Sequence, residues 1–223
     1  MSIYKKKIYL TNLFIIDWDD TLFPTSWVNK NSIDLNKKDL SDEYKIYFLE
    51  LDKTISLFLE KLDVIGDIFI VTNASINWIK LCLLNLNLTR KIIIDNNIRI
   101  VSARDSYSKE NNSPTEWKIF TFQDILEDII EKINKNLKPN TIINIISIGD
   151  AVYEYIALIN LDNFIKTHIN KNFDINNFNY LLKNIKFIEK PEFNSLLEQI
   201  YVLHQNFYDI VNKLEFVDLK FKI

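Results

Sequence analysis

The sequence predicts an α/β protein, a Rossmann-like parallel sheet flanked by helices with no separate cap domain. Three observations predict it. Short apolar runs rich in β-branched residues, Leu13 to Ile16 and Ile142 to Ile148 (broken only by Asn144 and Ser147), have the form of strands buried on both faces. Segments with apolar residues three and four apart alternate with those runs. Several runs end in a polar cluster, and in open parallel sheets the ligand lies beyond the carboxyl ends of the strands.

The elements follow in order. Leu13 to Asp17 is the first strand. Ser41 can cap a helix that carries Asp42 and Glu43 in its first turn, and Tyr44, Tyr47, Phe48, Leu51, Ile55, Phe58, Leu59 and Leu62 then keep one helical face. Gly66 and Asp67 punctuate before a second strand, Ile68 to Val71. Ile76 to Leu88 predicts a helix, Ile98 to Val101 a third strand, and Ser102 to Thr115, with Asn111, Asn112, Ser113 and Pro114, a loop. Trp117 to Ile133 predicts a helix, ended by Pro139-Asn140. Ile142 to Ile148 is the fourth strand, closed by Gly149-Asp150, and Val152 to Leu161 another helix. Phe164 to Ile169 and Ile185 to Ile188 have the look of strands, and Phe193 to Leu214 that of a final helix with Pro191 near its start. Residues 1–223 are expected to form one domain, with a core at about 8–160 and a strand and helix extension at about 163–223.

Composition narrows the class. The 223 residues are 48% hydrophobic and 26% charged, enough to bury a core and unlike a disordered chain. No apolar run reaches the length of a membrane span. Lys5-Lys6-Lys7 is followed by too short an apolar run for a secretory segment. Cys82 is the single cysteine, so an internal disulfide and a cysteine-based metal site are excluded, and an intracellular protein is the expectation. A net charge of −3 gives no strong nucleic-acid footprint, and Lys5 to Lys7 and Lys37-Lys38 are expected to be solvated surface. Two glycines are too few for a dinucleotide fingerprint or a P-loop. The abundance of Ile, Asn and Lys is what an AT-rich coding genome produces, which lowers the weight of any single Asn or Lys.

The strand ends carry the chemistry. The first ends in Asp17-Trp18-Asp19-Asp20-Thr21, the second in Thr72-Asn73, and the fourth in Gly149-Asp150 with Glu154 one helical turn on; Lys118 opens the helix before the fourth strand. Side chains alternate along extended chain, so Asp17 and Asp19 face one side while Trp18 and Asp20 face away. Like charges at roughly 4 Å and an effective dielectric of about 20 repel by about 4 kcal/mol, so this gathering of carboxylates needs a proton or a cation. An all-oxygen site with room for water and phosphate suits magnesium.

The D-W-D-D-T-L run at 17–22, I-F-I-V-T-N at 68–73, Lys118 and I-I-S-I-G-D-A-V-Y-E at 145–154, in that order, resemble the haloacid dehalogenase-like superfamily of phosphotransferases over about residues 8–160. With S-A-R-D-S-Y at 102–107, the chain is also similar to a group of such proteins from protists, plants and large viruses. The resemblance implies Asp17 as the nucleophile that takes a phosphoryl group and Asp19 as general acid and then base. It implies Thr72 and the Asn73 backbone amide on phosphate oxygens, with Lys118 neutralising the transferring group. It implies magnesium on the Asp17 carboxylate, the Asp19 backbone carbonyl and Asp150, with Glu154 orienting neighbours or reaching the metal through water. The expected activity is a magnesium-dependent phosphatase. Phe23 to Leu40 and Ser102 to Glu116 are too short for a cap, so the site is expected to be open, suited to a phosphorylated protein, a nucleotide or a nucleic-acid end, with Phe23, Pro24 and Trp27 as a small flap.

Each residue has a plainer reading beside this one. Thr72 can be a helix cap, Lys118 a solvated charge, Glu154 a helical surface partner, and Asp20 is expected to be a structural cap. Cys82 is expected in the core, His168 and His204 have no partner pattern for zinc, and Trp27, Trp78 and Trp117 are expected to pack. The alternative function is a catalytically silent binding or scaffold protein that keeps the fold and uses its open face.

Overall fold

A computed structural model describes residues 8–36, 40–110, 113–134, 140–169 and 179–222. Lys5 to Lys7, Lys37-Lys38, Asn111-Asn112 and Pro139, singled out above, lie outside these. Six parallel strands form one sheet: β1 (Tyr9–Ile16), β2 (Gly66–Thr72), β3 (Arg99–Ser102), β4 (Thr141–Gly149), β5 (Asn179–Lys186) and β6 (Val217–Lys220). Their spatial order is β3-β2-β1-β4-β5-β6. The chain therefore winds outward from β1 in one direction, returns to β4, and winds outward in the other. The order reverses between β1 and β4, the place where open α/β sheets bind ligands.

The period-two pleat of the strands sends their side chains into two cores. Phe14, Ile16, Ile68, Ile70, Ile146 and Ile148 face one layer, packed by α2 (Asp42–Asp63) and the last helix, α8 (Phe193–Asn212). Leu13, Ile15, Phe69, Val71, Ile143 and Ile145 face the other, packed by α6 (Pro114–Asn134) and α7 (Val152–Phe164). Each such side chain taken from water contributes roughly 1.5–3 kcal/mol, which fixes the register of the central strands.

The ends of the sheet correct several expectations. The helix over Ile76 to Leu88 is three pieces: α3 (Ile76–Cys82), a tight turn at Leu83–Asn85, and α4 (Asn87–Asp95), whose first amides at Leu88 and Thr89 donate to the buried Asp52 carboxylate of α2 at 2.8 and 2.7 Å. The loop after β3 contains a short helix, α5 (Ala103–Tyr107), capped by Ser102, and α6 begins at Pro114. Phe164 to Ile169 is not a strand. Helix α7 runs into a wider turn at Ile165–Ile169, because Leu158, Leu161, Ile165 and Ile169 continue one buried helical face. The neighbouring strand ends at Lys186 and begins at Asn179, earlier than the Ile185 to Ile188 run suggests. Strand β6 was not anticipated; only Val217 of its four residues is buried. Among the described residues between β1 and α2 there is one six-residue helix, α1 (Thr25–Lys30). Among the described residues no helix is long and apolar enough to cross a membrane.

Candidate active site

Asp17 follows β1 directly. Its backbone N–H donates to the Ile148 carbonyl at 2.8 Å, so the β1–β4 pairing carries through to the carboxylate. The chain then turns tightly: the amides of Leu22 and Phe23 donate to the Trp18 carbonyl at 3.0 and 2.8 Å, and Asp20 takes a left-handed φ of 55°. The expected alternation is present. Trp18 is buried against Phe23, with ring centroids 5.9 Å apart, and Asp20 accepts the Ser26 amide at 2.7 Å and the Ser26 hydroxyl, acting as the cap it was expected to be.

Asp19 is held by three donors. The Thr25 hydroxyl (2.6 Å) and the Trp78 indole N–H (2.7 Å) reach Oδ1, and the Thr72 hydroxyl (2.7 Å) reaches Oδ2. Thr72, the last residue of β2, also accepts the Ala74 amide at 2.8 Å. Asn73 donates from its side chain to the Pro114 carbonyl at 3.2 Å, which ties the end of β2 to the start of α6.

Lys118, in the second turn of α6, is 1% exposed, and its ammonium is fully partnered. It meets Asp17 Oδ1 at 2.5 Å, Glu154 Oε1 at 2.8 Å and the Val71 carbonyl at 2.8 Å. Burial works against its charge, yet Asp17 and Glu154 together hold its pKa above the ordinary lysine value. Asp17, 6% exposed, is pushed well above the usual carboxylate range by burial; Lys118 pulls it back, while Glu154, Asp19 and Asp150 push it further. Its Oδ2 accepts the buried Thr21 hydroxyl at 3.3 Å.

Glu154 stands closer to the centre than expected. It orients a neighbour directly, as a partner of Lys118, and its Oε2 accepts the Ala151 amide at 3.2 Å at the start of α7. The neighbouring Gly149 leaves it room, since a Cβ there would stand 2.4 Å from Glu154 Cγ. Asp150 is partly buried, and its carboxyl is pushed up to about 7, by burial first and then by Glu154 and Asp20.

The structure thus brings Asp17, Asp19, Thr72, Lys118, Asp150 and Glu154 to one edge, from β1, β2, β4, α6 and α7. Thr21, Thr25 and Trp78 were not anticipated as partners of the two aspartates. The flap expectation is corrected: Phe23 and Trp27 are core residues, Trp27 lying against Tyr44, Tyr47 and Phe193, because aromatic area of that size is more stable buried. A groove of about 560 Å³ opens beside Asp19, lined by Thr25, Asn29, Asn73, Ser75, Trp78 and Arg104. A larger cavity, about 700 Å³, lies at the opposite edge of the sheet, around Gly66 and Arg99, where Arg99 pairs with Asp128 and Lys132 with Asp67.

The carboxyl groups of Asp17, Asp19, Asp150 and Glu154 bear on one another, with Lys118 the cation among them. The neighbouring carboxylates raise the proton affinity of Asp17 and of Asp150, and such an excess of hard oxygen donors fits a divalent cation. Among the described residues no group of three or more His, Cys, Asp or Glu side chains could hold a metal unaided; the set expected above uses two carboxylates and a backbone carbonyl. No family model, no curated protein and no solved structure matches the chain.

Proposed function

We propose that the chain is a magnesium-dependent phosphatase of the haloacid dehalogenase-like type, a phosphoric monoester hydrolase working inside the cell. One observation carries the reading: a buried ammonium, Lys118, joins the carboxylates of Asp17 and Glu154 at the switch point of a parallel sheet, two residues from an aspartate held by three donors. Open α/β sheets bind ligands at that edge, and a desolvated cluster of paired charges there marks a candidate site.

Asp17 is the nucleophile. One carboxylate oxygen bonds to phosphorus as the ester P–O bond breaks, giving an aspartyl phosphate, and Asp19 gives its proton to the departing oxygen. Asp19 then takes a proton from water, whose oxygen bonds to phosphorus, and the Asp17–phosphorus bond breaks to release inorganic phosphate. Thr25, Thr72 and Trp78 keep Asp19 within reach of both oxygens. Lys118 holds the nucleophile in place and balances charge on the transferring group, aided by the Asn73 backbone amide, while the Thr72 hydroxyl donates to Asp19 and positions that carboxylate. Magnesium, on Asp17, the Asp19 carbonyl and Asp150, would neutralise phosphate charge and offset the crowded carboxylates. The short segments after β1 and β3 leave the site open, which suits a nucleotide or a macromolecular end.

Hydrolysis of an aryl phosphate by the purified chain, with magnesium and with a chelator, tests the reading beside Asp17→Asn. Expected is magnesium-dependent phosphate release that the variant lacks. Equal release from wild type and Asp17→Asn overturns it.

A further inference from the structure

The groove beside Asp19 is larger than a phosphate group needs; at about 560 Å³ it is the size of a small-molecule site. Arg104 is among its lining residues. Around this edge three other cations are committed: Lys118 to Asp17 and Glu154, Lys186 to the Asp150 carbonyl and Glu189, and Lys30 to Glu192; a fourth, Lys190, lies where its charge bears on Asp20 and Glu189. Arg104 is exposed, and among the described residues no carboxylate pairs with it.

The helix that carries it is fixed in place. Helix α5, which carries it, is pinned to the chain after β2 by two contacts. The Ser102 hydroxyl donates to the Ala74 carbonyl at 2.7 Å, and the Ile76 amide donates to the Asp105 carboxylate at 2.9 Å. Asp105, the acidic neighbour in sequence, thus faces a backbone amide of α3. Arg104 therefore lines the same groove as Ala74, Ser75 and Asp19.

We infer that Arg104 binds a second anionic group of the substrate, so that the preferred substrate class is a small phosphomonoester carrying another phosphate or a carboxylate on its leaving group. The inference rests on the phosphatase reading for which end of the ligand lies at Asp17. The chemistry favours it. Four carboxylates, Asp17, Asp19, Asp150 and Glu154, gather at the strand ends, and a ligand with two negative charges needs a cation away from them. The planar guanidinium fork matches phosphate and carboxylate alike. Asn29, Asn73 and Ser75 supply neutral donors and acceptors along the way, and Trp78 an aromatic wall.

The test uses the full chain with Asp17→Asn, loaded with magnesium, and calorimetric titration with three probes: phenyl phosphate, 3-phosphoglycerate and adenosine 3′,5′-bisphosphate. Expected is binding of the two-anion probes at least tenfold tighter than phenyl phosphate. Adding Arg104→Gln should collapse that preference to about one, and Arg104→Lys should restore part of it. The stronger of the two favoured probes tells whether phosphate or carboxylate is the second group. No preference in the Arg104-containing protein, or a preference that survives Arg104→Gln, overturns the inference while leaving the phosphatase reading in place. Failure of all three probes to bind overturns both.

Discussion

The indole N–H of Trp78 donates to Asp19 Oδ1 at 2.7 Å, although 59 residues separate them in the chain. Trp78 is also a packing residue, edge-on to Phe23 with centroids 6.1 Å apart. One side chain therefore joins the core under the first turn to the carboxylate above it. Trp78→Phe keeps the ring and removes the donor. With hydrogen bonds to charged groups worth about 1.5–3 kcal/mol, kcat on an aryl phosphate is expected to fall roughly tenfold or more, with KM little changed. A fall in KM and kcat together would contradict a positioning role.

Lys118→Met leaves Asp17 and Glu154 buried and facing each other with no ammonium between them. Breaking such a pair from one side costs about 3–5 kcal/mol. Chemical denaturation should register that loss, and magnesium should recover part of it. A variant as stable as wild type without metal would show that the ion pairs contribute nothing.

Gly149→Ala is expected to reach the same site by another route. The added Cβ would stand 2.4 Å from Glu154 Cγ, so Glu154 must leave Lys118 or the strand end must shift. Phosphate release should fall by an order of magnitude or more, and a crystal structure of the variant should show Glu154 displaced.

Asp150 sets a pH dependence. Its carboxyl sits at about 7 when folded, against about 3.9 when unfolded. The folded chain therefore holds the proton more tightly, and this contribution to stability is full below about pH 4 and is lost as pH rises through about 7. In the metal-free protein, Asp150→Asn should gain stability relative to wild type over that interval, by at most about 1.4 kcal/mol per pH unit. Parallel stability curves for the two proteins would contradict it.

Lys183 offers a prediction away from the site. It is fully buried on β5, and its ammonium takes the carbonyls of Ile210, Val211 and Lys213 at 2.7–2.8 Å, closing the end of α8. Lys183→Met strips the ammonium from the Ile210 and Lys213 carbonyls and leaves Val211 only the Asn144 side-chain amide at 3.1 Å, and a loss of about 2–4 kcal/mol is expected in urea unfolding.

The sheet, and the gathering of the candidate residues at its edge, were legible because both are written locally. A doubly buried strand is a run of apolar residues, and a carboxylate at its end needs no knowledge of the rest of the chain. What stayed hidden depends on partners far away. Trp78 and Thr25 reach Asp19 only because α1 and α3 converge over β1, and Glu154 meets Lys118 only because α7 starts beside the second turn of α6. Glu154 did leave a signal, four residues past Asp150 on a helix, where a side chain points back beneath the strand end. Phe164 to Ile169 misled because an apolar residue at 164, 165 and 169 fits a strand and a helix face equally well. Strand β6 alternates Val-Asp-Leu-Lys, but with one buried side chain its signal was faint.

The reversal of strand order between β1 and β4 has a consequence for synthesis. Asn12 and Asn144, paired in register on these strands, hydrogen-bond at 2.8 Å across 132 residues of sequence. A nascent chain that has emerged only as far as α6 already holds Asp17, Asp19, Thr72 and Lys118, yet β1 lacks the neighbour that gives Asp17 its backbone partner and Lys118 its second carboxylate. The ribosome must deliver β4 and the first turn of α7 before the pocket exists. Until then, the sheet edge that becomes the site is an open flank of β1, for chaperones or premature partners to meet first.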